Sequence, residues 1–241
     1  MARPRSAPVL LPVTGDPVAV AVPGLGLTVA GWRRVVERLG ATVPMAVVAL
    51  PSFGLRAPRR APLDPVSLAD DLADRLADRG LLAGGPVVLL GHSASCQVVA
   101  EAARRYPHAV CGLVLIGPTT DPRAVPLPRL VGRWVRTAGH EDPRRIPAML
   151  RQYATTGLSG FARAMLTARH HDLRAALAGS VVPVLVLRGP QDHLAPPSWL
   201  ADLARTRDGI RVATTPDGAH MLPLTRPADV ARWVARGVAH D

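Results

Sequence analysis

Three residues of this chain are of the types that together perform acyl transfer: Ser93, Asp192 and His220. Ser93 stands in Gly91-His92-Ser93-Ala94-Ser95, directly between the apolar run Val87 to Leu90 and a helical pattern from Cys96 to Tyr106. A serine hydroxyl is a weak nucleophile until an imidazole takes its proton and a carboxylate orients that imidazole. A sharp strand-to-helix turn would lift the hydroxyl off the sheet and set it at a helix start, where free N–H groups favour developing negative charge. The pattern is that of a G-x-S-x-G elbow, with Ser95 in the place of the last glycine. The plainer reading of Ser93 is a helix N-cap.

Asp192 follows the strand-like run Val184 to Leu187, in Leu187-Arg-Gly-Pro-Gln-Asp192-His193. His220 follows the weaker run Ile210 to Thr214, in Pro216-Asp-Gly-Ala-His220-Met-Leu-Pro. The order Ser, Asp, His, each after its own strand, would bring all three to one sheet edge. His193 is a rival base and Asp217 a rival acid. His193 adjoins Asp192, which makes good geometry between them hard, and Asp217 would need differently folded loops. His92 faces either the pocket or a hydrogen-bonding partner. His170-His171 reads as a solvated pair, with no further ligands at metal spacing. Cys96 falls about one turn after Ser93 and reads as a buried side chain. No metal and no cofactor are expected. The Gly-rich turns lack both the G-x-G-x-x-G and the Gly-Lys-Ser/Thr spacings.

The elements that must position these groups alternate along the chain. Strands are expected at Val18 to Val22, Met45 to Leu50, Val87 to Leu90, Val110 to Ile116, Val184 to Leu187 and Ile210 to Thr214. Helical spacing covers Trp32 to Leu39, Asp64 to Arg79, Cys96 to Tyr106 and Asp229 to Val238. Short, uniformly apolar strands separated by helices predict an α/β fold, a mostly parallel central sheet flanked by helices. Residues 119–180 break the alternation. They give helical stretches at Leu130 to Thr137, Ile146 to Ala154 and Phe161 to Ala178. The expected organisation is a core of residues 1–118 and 181–241 with a helical cap of residues 119–180.

Composition narrows the function classes. The 241 residues suit one large α/β domain, and 48% apolar against 20% charged residues argues against disorder. Two cysteines cannot make a disulfide scaffold. The net charge of +11 comes from 29 arginines and no lysine. Residues 119–180 are the most basic for their length, with 10 arginines against 4 acids, but the arginines are scattered and match no nucleic-acid motif. An acidic or carrier-bound small molecule is the better-fitting partner. No apolar stretch is long enough to span a membrane, and Val9 to Val13, interrupted by Pro12, is too short for a secretory signal. The expectation is a cytoplasmic protein, monomer or homodimer, that binds no nucleic acid.

These motifs together resemble the α/β-hydrolase fold superfamily, in its capped serine carboxylester hydrolase form. The resemblance covers residues 15–241 and rests on Gly91-His-Ser-Ala-Ser95, on Gly189-Pro-Gln-Asp192 with Pro196, on Gly218-Ala-His220 with Pro227, and on Pro23-Gly-Leu-Gly26. It implies Ser93 as nucleophile, Asp192 as acid and His220 as base. It also implies an oxyanion hole from the backbone N–H groups of Leu25 and Ala94. Two positions depart from the pattern: Pro23, where many relatives carry histidine, and Ser95. The implied reaction is hydrolysis of a carboxylic ester, thioester or lactone through an acyl-enzyme. Acyl transfer, cyclisation and carbon–carbon bond hydrolysis use the same triad. The substrate is expected to be a small, hydrophobic acyl compound. Gly24, Phe53, His92, Trp134, Met149, Tyr153, Phe161 and Met165 are its candidate contacts.

Overall fold

Strands buried on both faces need apolar side chains on both, and this chain supplies them in short runs. In the computed structural model, which describes residues 18–238, β1 (Ala19–Val22) is followed by α1 (Arg33–Leu39) and β2 (Met45–Val47). Two-residue strands β3 (Leu50–Pro51) and β4 (Gly54–Leu55) precede α2 (Pro65–Asp78), β5 (Val87–His92), α3 (Ser95–Arg105) and β6 (Val110–Ile116). Four helices intervene, α4 (Leu127–Ala138), α5 (Ile146–Thr156), α6 (Leu158–Ala168) and α7 (Leu173–Ala178). Then come β7 (Val184–Arg188), α8 (Pro197–Ala204), β8 (Ile210–Thr214), α9 (Leu222–Thr225) and α10 (Pro227–Val238). The short run Val9 to Val13 lies outside the described residues.

Six strands form one parallel sheet in the order β2-β1-β5-β6-β7-β8. Alternate residues feed two cores. Val87 and Leu89 pack with Leu68, Leu72 and Leu76 of α2 and with α3. Val88 and Leu90 pack with Val35 and Leu39 of α1 and with Val230 and Val234 of α10. The weaker run at Ile210 is the edge strand β8 and is only partly buried. The chain leaves β1 toward β2 on one side and returns as β5 on the other. That switch opens a crevice at the carboxyl ends of β1 and β5. The helices α4 to α7 form the cap insertion between β6 and β7.

Two boundaries differ from the sequence expectation. The run from Met45 stops pairing at Val47, because the chain turns back at Pro51-Ser52, where Leu50 and Phe53 exchange backbone hydrogen bonds. The stretch Phe161 to Ala178 is two helices. Asp172 starts the second, its carboxylate accepting from the N–H groups of Arg174 and Ala175. α8 begins on Pro196-Pro197, which suits a first helical turn. No helix among the described residues is long and apolar enough to cross a membrane.

Trp199 of α8 is buried, and its indole N–H donates to Pro118 O at 3.0 Å, where the chain leaves the sheet for the cap. Trp199→Ala should therefore cost about 3–5 kcal/mol, read as a lower urea midpoint at an unchanged slope.

Candidate active site

Strand β5 runs straight into α3, and the turn between them is too tight for ordinary backbone. Ser93 takes φ +59°, and its N–H donates to Ile116 O at 2.9 Å. A non-glycine residue in the left-handed region carries strain, and here the strain presents the serine Oγ above the sheet. Ser95 explains its own departure from glycine. Its Oγ accepts from the His92 N–H at 2.8 Å and reaches Val22 O at 3.0 Å and His92 O at 2.9 Å. The hydroxyl thus ties the elbow to the end of β1, one residue before the Pro23-Gly-Leu-Gly26 loop.

The three residues from three strands converge. His220 Nε2 lies 2.8 Å from Ser93 Oγ, and His220 Nδ1 lies 2.8 Å from Asp192 Oδ2. The other carboxylate oxygen of Asp192 accepts from the N–H groups of Leu194 (2.9 Å) and Ala195 (3.1 Å). Burial alone would raise Asp192; the charge and hydrogen bond of His220, with these N–H groups, outweigh it and hold the carboxylate below its ordinary range. Burial pulls His220 down, but the charge and hydrogen bond of Asp192 and the charge of Glu141 outweigh that and hold the imidazole above its usual value. Gly117 makes room for the pair. It has φ +54°, and a Cβ there would lie 2.9 Å from Asp192 Oδ2 and 3.0 Å from His220 Nδ1.

The rivals are elsewhere. His193 faces the cap, its N–H on Thr137 Oγ1 and its ring 5.6 Å from that of His140. Asp217 pairs with Arg226 at the surface. His171 is not solvated as expected from sequence. Half-buried, it meets Glu101 at 2.8 Å, because the break between α6 and α7 turns it toward α3; His170 is exposed. No group of three or more His, Cys, Asp or Glu side chains among the described residues could hold a metal ion.

The His92 ring is buried and pushed down to about 3, chiefly by burial and then by the neighbouring His220. It is therefore a neutral imidazole. Its Nε2 donates to His220 O at 2.9 Å, since a carbonyl can only accept. A Cβ on Gly24 would lie 2.5 Å from His92 Nδ1, so only glycine lets the loop after β1 come down on this ring. The N–H groups of Leu25 and Ala94 make no hydrogen bond among the described residues, and both residues line the same cavity as Ser93.

That cavity measures about 380 Å³. Gly24, His92, Trp134, Tyr153, Phe161 and Met165 line it, as do Ser93 and His220. Met149 and Phe53 do not. Met149 packs in a small cluster with Leu27 and Met221, and Phe53 is fully enclosed in the main core. Both are apolar side chains next to the site in sequence or in space, and packing claims them first.

Two polar residues escaped the sequence reading. Glu141, in the cap, is buried, and its Oε1 accepts from the N–H groups of His220 (2.7 Å) and Met221 (2.8 Å). Burial raises its carboxyl above the ordinary range, and these N–H bonds oppose the rise. Arg188, at the end of β7, donates to Ala195 O, Pro190 O and Asp192 O and so laces the acid loop. Glu141 carried no local signal. Arg188 stands where β7 ends and could have been asked where its charge goes.

The family model described as "Alpha/beta hydrolase family" matches residues 19–233. The chain is 28% identical over 209 residues to a pimeloyl-[acyl-carrier protein] methyl ester esterase of Sodalis glossinidius, covering 76% of this chain and 78% of that one. It is 25% identical over 246 residues to the protein of the same name from Yersinia pseudotuberculosis, covering 91% and 92%. Among solved structures it is similar to a thermophilic esterase from Thermogutta terrifontis, with a TM-score of 0.78, 25% identity, and 99% and 97% of the two chains covered.

A histidine acts as a base only when neutral. With His220 held above the ordinary 6.5, the acid limb of kcat/KM should fall above pH 6.5. Asp192→Asn should drop the rate by roughly 10⁴-fold and move the limb down. Glu141 tests the loop clamp separately. Glu141→Ala, which orphans two N–H groups, should cost about tenfold in kcat/KM. Glu141→Gln keeps an accepting oxygen and loses the charge; it should restore most of the rate and shift the acid limb to lower pH.

Proposed function

The chain belongs to the alpha/beta hydrolase family, and from that premise we propose that it hydrolyses a carboxylic ester whose apolar acyl chain lies in the cavity. The observation that carries the proposal is the unbroken hydrogen-bonded chain from Ser93 through His220 to Asp192, facing that cavity. His220 Nε2 takes the Ser93 proton as Oγ attacks the ester carbonyl. The N–H groups of Leu25 and Ala94 receive the oxyanion, and donors so placed typically contribute about 3–4 kcal/mol each. His220 then passes the proton to the departing alkoxide, and the ester carbon–oxygen bond breaks. Water, activated by the same imidazole, attacks the acyl-enzyme and releases the acid. Asp192 stays ionised throughout and keeps the Nδ1 proton where the imidazolium needs it. Thioesters and lactones present the same carbonyl.

The apolar lining, Leu27, Leu130, Val131, Phe161 and Met165 among it, suits a hydrophobic acyl chain. A carrier-linked acyl chain is a second form of the substrate. It is favoured by the 10 arginines against 4 acids in residues 119–180, which would attract an acidic carrier. In that case kcat/KM for the carrier-linked ester should exceed that for the free methyl ester and fall with added salt.

An alkyl fluorophosphonate should add its mass to Ser93, and Ser93→Ala should lose both the label and ester turnover. A folded protein that takes up no label would overturn the proposal.

A further inference from the structure

The cavity wall carries one permanent positive charge. Arg169, just past the end of α6, lines it, and no carboxylate does. A guanidinium has five N–H donors. Arg169 commits one, from Nη1 to Val125 O at 3.3 Å, and its Nε is buried without a partner. It pairs with no carboxylate among the described residues. The other half-buried arginines of the cap are provided for. Arg133 meets Asp121 at 2.6 Å, Arg145 lies 3.9 Å from Asp142, and Arg163 donates to Pro58 O and Ala61 O.

Two further donors stand beside it. Thr119 and Thr120 line the cavity, and their hydroxyls make no hydrogen bond among the described residues. Gln97 Nε2 donates both to Thr119 O at 2.6 Å and to Ala168 O at 2.9 Å. One nitrogen thus joins the threonine segment to the residue before Arg169, so the two stretches lie side by side. The buried Nε is the donor that lacks a partner, and a carboxylate in the cavity would meet this guanidinium with paired, charge-assisted hydrogen bonds.

On the reading that Ser93 attacks an ester in this cavity, we infer that Arg169, with Thr119 and Thr120, forms an anion subsite, and that the substrate is a monoester whose acyl chain carries a second carboxylate. A neutral chain of the same length leaves the buried Nε without a partner, and a site with an unpaired buried donor discriminates against such an analogue.

The test compares monomethyl adipate with methyl hexanoate. The ratio of their kcat/KM values should fall by about tenfold or more in Arg169→Met, chiefly through KM for the half-ester. Arg169→Lys should recover part of it, because a point charge remains. A ratio unchanged in Arg169→Met overturns the subsite while the hydrolase reading stands. If the wild type cleaves neither ester, the hydrolase reading is decided by the fluorophosphonate label, and the subsite is read by calorimetric binding of adipate to Ser93→Ala. Binding lost when Arg169→Met is added supports it; equal binding overturns it.

Discussion

One buried histidine is held at every polar atom it has, ring and backbone alike. His220 Nδ1 meets Asp192, Nε2 meets Ser93, the backbone O accepts from His92, and the backbone N–H donates to Glu141. These partners come from the loop after β7, the elbow after β5, the end of β5 itself and the cap. A buried polar group left without a partner is expensive, so each of these segments has to be in place before His220 can be buried cheaply. The reactive hydrogen bond to Ser93 is therefore one of a set.

The same logic makes the cap part of the site. Besides Glu141, α5 sends Gln152 to the N–H and hydroxyl of Thr28 and Thr156 to Gly26 O. Tyr153 and Phe161 pack on Gly26 with their rings 5.5 Å apart. One insertion thus braces the loop that carries Leu25 and the loop that carries His220. A displacement of the cap would loosen both His220 and the loop that carries Leu25.

The two departures from the family pattern find local replacements. With Pro23 in the place of a histidine, the loop after β1 is held by the His92 ring under Gly24 and by the Gly26 N–H on Ser52 O. Ser95 in the place of a glycine turns a close approach into hydrogen bonds that join the elbow to Val22. Ser95 uses side-chain polarity, and the loop after β1 uses close packing and a backbone hydrogen bond, to keep the elbow and the loop in register.

The strands, the elbow and the order of Ser93, Asp192 and His220 were legible in the sequence because they are local. Burial on two faces writes itself as an unbroken apolar run, and a strand-to-helix turn needs small residues within a few positions. Phe53, Met149, His171 and Glu141 were not legible that way. Each is an ordinary residue whose role depends on a neighbour distant in the chain: Phe53 on a core wall, His171 on Glu101, and Glu141 on an N–H group 79 positions away. The amino-acid sequence alone determined which residues could do the chemistry and which edge of the sheet they would share. Only the tertiary structure decided which polar groups satisfy one another, because burial sets the cost of an unpartnered group and burial is a property of the whole packed molecule.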